Sequence, residues 1–208
     1  VEYESLIHPV KIQTTAIPYF AFMKNYRWGI IGPGKIAHKF AVALTLAGGA
    51  QLDAIASRDG SRAREFAEKY NVPRYYDSYE ALVKDPDIDA IYVSTPHAFH
   101  FDQTILALTH GKPVLCEKPL ALTQREVVKM VQTARDNNVF LMEAMWTRFL
   151  PHTEKILQLI REGELGEIKY VRADFGFAGP YHPDNRLFNL ALGGGALARC
   201  VDGGFHLP

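Results

Sequence analysis

Apolar and polar positions along this chain follow two periods, and the switch between them repeats. Residues 28–31, 51–56, 89–94, 112–116 and 139–142 are short apolar runs. Their length and bounding turn residues predict strands covered on both faces. Between them lie segments whose apolar residues fall three and four apart. Ile36, Phe40, Leu44 and Ala47 follow the first run, and Gly48 with Gly49 stops them. Ala63, Phe66, Ala67 and Tyr70 follow the second, ended by Asn71 and Pro73. Tyr75 and Tyr76 predict a short strand, 78–83 a short helix, and 102–110 a helix closed by Gly111. Thr123 and Glu126 stand at capping-box spacing ahead of the stripe Val127, Met130, Val131 and Ala134. This strand–helix alternation predicts an α/β fold, a doubly wound parallel sheet with helices on both faces.

The rhythm changes after residue 145. A helix is expected over 153–162, with Ile156, Leu157 and Ile160 inward and Gly163 as its stop. A longer alternating strand is expected over 168–177, with Val171, Ala173, Phe175 and Phe177 on one face. These predict the incomplete start of a second α/β domain over 146–208, after a first domain over 23–145. Residues 1–22 carry neither period, and Met23 reads as a native initiator just before the first strand. An ordinary N-terminal arm is the plain alternative.

Composition narrows the function classes. The chain has 208 residues, 48% hydrophobic and 22% charged, with a formal net charge of zero. No basic excess argues for nucleic acid, and no apolar run is long enough for a membrane helix. Two cysteines, Cys116 and Cys200, make no disulfide framework, so a reducing cytoplasm is the expected setting.

The candidate chemistry lies at the strand ends. Gly32, Gly34 and Ala37 follow the first strand at G-x-G-x-x-A spacing. The first glycine permits a sharp turn and the second lets a pyrophosphate approach the backbone. The small third residue lets helix and strand pack closely. Lys35 and Ile36 then fall in the first helical turn, whose N–H groups face the phosphates. Ser57 and Arg58 end the second strand, where a dinucleotide fold meets the adenosine ribose. A hydroxyl and a guanidinium suit a 2′-phosphate and hence NADP, with NAD still possible. The alternative leaves Arg58 solvated and gives the ribose to Asp59. Thr95, Pro96 and His97 end the third long run, and His97 and His100 either touch the cofactor or are solvated loop histidines. Glu117, Lys118 and Pro119 end the fourth. Taken alone, Glu117 and Lys118 read as a surface ion pair.

Gly32 to Ala37, Glu117-Lys118-Pro119, the segment 142–151 and the segment 192–197 together resemble the Gfo/Idh/MocA oxidoreductases, and within them the dihydrodiol and D-xylose dehydrogenase branch. The resemblance spans about residues 26–197. It implies a Rossmann domain and a second domain with a large open sheet, here C-terminally truncated. It implies NADP or NAD as cofactor, a sugar, polyol or diol as substrate, and a homo-oligomer for a full-length parent. Lys118 is then the catalytic residue. It hydrogen-bonds the reacting hydroxyl and stabilises negative charge as hydride leaves. Glu117 orients Lys118 or meets the nicotinamide. Trp146 and Arg148 either line the cleft or pack between domains. The family's later D-x-G-x-[HY] signature is matched only with three extra residues, by Asp202, Gly204 and His206. On that match His206 is a proton relay; the alternative is a chance match near an altered or truncated C-terminus, since the unshifted positions hold Arg199 and Gly203. Two other readings stand beside this one: a non-catalytic nucleotide-binding remnant, and a different reductase chemistry within the same family.

Overall fold

The computed structural model describes residues 24–174, 176, 181–185 and 187–194. Six parallel strands form one sheet: β1 (Tyr26–Ile31), β2 (Ala50–Ala56), β3 (Arg74–Tyr76), β4 (Ala90–Val93), β5 (Val114–Cys116) and β6 (Leu141–Glu143). Their spatial order is β3-β2-β1-β4-β5-β6. The chain runs outward from β1 in one direction, then crosses back to start β4 on the other side. That reversal leaves a crevice beyond the carboxyl ends of β1 and β4, the place where ligands bind in this architecture.

Helices α1 (Lys35–Leu46) and α2 (Gly60–Tyr70) lie toward one face, α3 (Tyr79–Lys84), α4 (His100–Thr109) and α5 (Gln124–Asp136) toward the other. The strands explain why both faces are covered. In β1, Ile30 packs with Ala37, Ala41 and Phe66, whereas Ile31 packs with Leu82, Val93 and Leu108. Ile55 against Ala54 and Ala56, and Tyr92 against Ile91 and Val93, divide the same way. Successive strand side chains point to opposite faces, so a strand covered on both reads as one continuous apolar run.

The helix ends follow local chemistry. Thr123 and Glu126 make the reciprocal capping box at α5, and Ser78 and Asp59 cap α3 and α2 with their side chains. Asn71 ends α2 in the left-handed conformation. Cys116, at the tip of β5, is buried, and burial pushes its thiol up to about 12. It is an unreactive core group.

Helix α6 (Pro151–Arg161) forms after the sheet, starting two residues before the sequence expectation with proline at its first turn. The strand expected over 168–177 does not form at 168–174, and Phe175 and Phe177 lie outside the described residues. Alternation fits a pleat, but a strand also needs a neighbour to accept its backbone hydrogen bonds. No described strand pairs with this segment. Residues 1–22, Met23, Asp202, Gly204 and His206 fall outside the described residues.

Candidate functional site

Three loop tips converge at the crevice. The first is the glycine turn after β1. Gly32 has φ +93°, and a Cβ there would sit 2.6 Å from Thr95 Cγ2. Both the backbone angle and the space therefore require glycine. Gly34 is the N-cap of α1, and a Cβ on it would lie 3.1 Å from the Ser94 carbonyl. No side chain caps α1 and no acid occupies its first turn. Its N–H groups and dipole are therefore directed at the crevice, with Lys35 at the first helical position. Ala37 is fully buried beneath the turn, where a larger residue would push α1 off the sheet.

The second tip, after β4, is tied to the first. Ser94 donates its hydroxyl to the carbonyls of Gly32 and Ile31, at 2.8 and 3.2 Å. His97 places Nδ1 3.2 Å from the Gly193 carbonyl.

The third tip carries Lys118. Glu117 accepts from the Tyr92 hydroxyl beneath it and from the Lys118 backbone N–H. Glu143 accepts from the Leu120 N–H at 2.9 Å. His100 lies behind this loop. Its Nδ1 is 2.7 Å from the Pro119 carbonyl and its Nε2 2.9 Å from the Thr95 carbonyl. The imidazole is fully buried, so the expectation that His100 touches the cofactor is corrected. Its ring bridges the second and third loops and leaves no nitrogen for a ligand.

Two adjoining cavities result. One, of about 630 Å³, is lined by Gly34, Lys35, Ile36, Thr95, Pro96, His97, Glu117, Lys118 and Trp146 from the sequence expectations, with Ser94 and Leu187 added. The other, of about 290 Å³, holds Gly32, Ser57 and Arg58. It adds Arg62, Phe99, Tyr79 and Gln103, which sequence reasoning passed over. Arg58 lays its guanidinium 5.0 Å from the centroid of the Phe99 ring. Arg58 precedes the Asp59 cap and Arg62 lies in the first turn of α2, so the helix start brings the two guanidiniums to one cavity. Asp59 spends a carboxylate oxygen on the backbone N–H and hydroxyl of Ser61, at 3.0 and 2.6 Å. Those bonds hold its carboxyl below the usual range. Arg148 is exposed on a single 3-10 turn and lines neither cavity.

The residues present fit a dinucleotide. Two glycines hold open the space that a Cβ would fill, an uncapped helix start faces it, two guanidiniums stand at one end and an ammonium at the other. Among the described residues no cluster of histidine, cysteine or carboxylate ligands could hold a metal ion. No described helix is long and apolar enough to cross a membrane.

Comparison with known proteins agrees with this geometry. Residues 26–145 match the model of an oxidoreductase family with an NAD-binding Rossmann fold. The trans-1,2-dihydrobenzene-1,2-diol dehydrogenase of Xenopus tropicalis is 47% identical over 173 residues, 82% of this chain and 52% of the relative. The chain thus spans about half the length of the curated relatives it matches. A 3-ketoreductase from Actinomadura kijaniata, solved with TDP-benzene and NADP, superposes with a TM-score of 0.65 at 33% identity, over 70% of this chain and 45% of that one. A scyllo-inositol dehydrogenase from Lactobacillus casei, solved with NAD(H) and scyllo-inositol, gives 0.65 at 26% identity, over 69% and 43%.

Proposed function

This chain belongs to the Gfo/Idh/MocA oxidoreductase family, and on that premise we propose that its crevice binds NADP in preference to NAD and serves hydride transfer at a hydroxyl-bearing carbon of a sugar, polyol or dihydrodiol. The observation that carries the proposal is the convergence of the glycine turn, the Arg58–Arg62 pair and Lys118 on two cavities that share Gly34, Ser94, Thr95 and Pro96. Gly32, Gly34 and the start of α1 would hold the pyrophosphate, with Lys35 beside it. Ser57, Arg58 and Arg62 would hold the 2′-phosphate, and the flat Arg58 guanidinium on Phe99 would meet the adenine. Thr95, Pro96, His97, Glu117 and Trp146 would line the nicotinamide end. When bound, the nicotinamide supplies or takes the hydride. Lys118 would hydrogen-bond the substrate oxygen, stabilise its developing negative charge and pass its proton. Known relatives supply the substrate class: one is named for a dihydrodiol, another was solved with an inositol.

Fluorescence titration tests the cofactor reading. NADPH is expected to bind at least about tenfold tighter than NADH, one such factor being about 1.4 kcal/mol. Arg58→Ala and Arg62→Ala should each narrow that preference, and equal binding of the two cofactors would remove the NADP assignment. Turnover across a panel of sugars, polyols and dihydrodiols tests the chemistry. Lys118→Met should abolish turnover while NADPH binding stays within about twofold, the pattern of a group that acts only in the transition state. One rival reading is a nucleotide-binding module without turnover. NADPH binding with no activity on any member of the panel is its signature.

A further inference from the structure

Tyr92 lies on β4 beneath the crevice and lines neither cavity. The ring is 2% exposed. It stacks on Phe40 of α1 with centroids 3.9 Å apart and planes 19° apart, and Phe40 in turn meets Trp28 edge-on at 5.4 Å. The ring therefore cannot swing. Its hydroxyl emerges at one point only and donates to Oε1 of Glu117. The other carboxylate oxygen of Glu117 accepts the backbone N–H of Lys118 at 3.2 Å. Both oxygens are thus engaged, one by a side chain packed in the core and one by the adjoining backbone. Burial, with the neighbouring carboxylate, pushes the Tyr92 phenol far above its ordinary range, so it remains a donor wherever the chain is folded.

Glu117 lines the larger cavity beside Thr95, Lys118 and Trp146. A buried tyrosine that spends its one donor on a cleft carboxylate has no packing reason to carry a hydroxyl, because phenylalanine would fill the same space. We infer that Tyr92 is a positioning residue that fixes the Glu117 carboxylate at the floor of the crevice, where the anion favours the oxidised, positively charged nicotinamide over the reduced, neutral ring. The inference rests on the cofactor reading above and adds a redox-state preference to it. A carboxylate held in place acts on a nearby cation at full strength, whereas one free to turn toward solvent is screened.

Calorimetric titration of NADP+ and NADPH tests it on the wild-type chain, Tyr92→Phe, Glu117→Gln and the double variant. Tyr92→Phe keeps the stacked ring and removes only the hydroxyl. It should weaken NADP+ at least about threefold and change NADPH less than about twofold. Glu117→Gln should shift the ratio as far or further, and the double variant no further than Glu117→Gln alone. Equal changes for both forms in Tyr92→Phe, or no change in either, would overturn the inference. So would a double variant in which the two shifts simply add. A wild-type chain that binds neither form would instead remove the cofactor reading, and this inference with it.

Discussion

At Gly32 two independent demands meet, a positive φ and a void that Thr95 bounds. Replacing Gly32 by alanine strains the backbone and forces Cβ against Thr95. The expected cost is on the order of 1 to 3 kcal/mol by urea denaturation, with a loss of NADPH affinity of tenfold or more. Gly32 was legible in the sequence because glycine reports its own backbone requirement, and Gly34 because the G-x-G spacing marks a close approach to the backbone. The place of Lys118 at the crevice follows from its strand tip, whereas its catalytic role comes only from a resemblance, since a lysine after a glutamate is an ordinary surface pair. His100 was misread for a physical reason. Sequence shows that a histidine follows a strand, but not that the α4 start turns its ring inward to the carbonyls of Thr95 and Pro119. Tyr92 was invisible in the same way, because its partner lies 25 residues on.

At the scale of elements, the end of the sheet opposite the crevice is held by charge. Asp89, just before β4, accepts from the Arg27 backbone N–H of β1 at 2.8 Å and pairs with Lys24 at 2.7 Å and the Arg27 guanidinium at 3.3 Å. Burial opposes the charged form, but Lys24 and the two Arg27 donors outweigh it and hold the carboxyl at about 2 against an ordinary 3.8. A depressed folded value means that the stability is present above pH 4 and is lost as pH falls through the folded value near 2. The amount is at most about 2 kcal/mol, given that Lys24 is solvated. Acid unfolding should therefore steepen between pH 4 and 2, and Asp89→Asn should flatten that limb of the curve. None of this was read from the sequence, because it depends on which strands become neighbours. The elements themselves were legible wherever one local signal sufficed, as with Thr123 and Glu126 or the runs of β1 and β4. The segment 168–174 shows the limit. Its alternation is a condition for a strand, and a partner is the other condition.

At the scale of the whole molecule, large apolar side chains among the described residues stand in water both before β6, as Leu46 and Phe140 do, and after it. Trp146 and Phe149 are 61% and 62% exposed, and Tyr170 and Tyr181 are 84% and 74%. The sheet core before them is closed, with Ile30, Ile55 and Ile91 fully buried. Each of these side chains leaves apolar area open to water. The chain should accordingly raise anilinonaphthalene sulfonate fluorescence while its near-ultraviolet dichroism stays native. Trp146→Ser with Phe149→Ser should lower that dye signal without lowering the melting temperature. The two cavities, meanwhile, share one wall of four residues, Gly34 and Ser94 to Pro96. Under the proposed cofactor reading, a dinucleotide lying across that wall would have its adenosine and nicotinamide ends read from two sides of the same loop. A change at Ser94 or Thr95 would then alter the reading of both ends at once, and fragments that occupy one cavity each would compete for the placement of a single peptide segment.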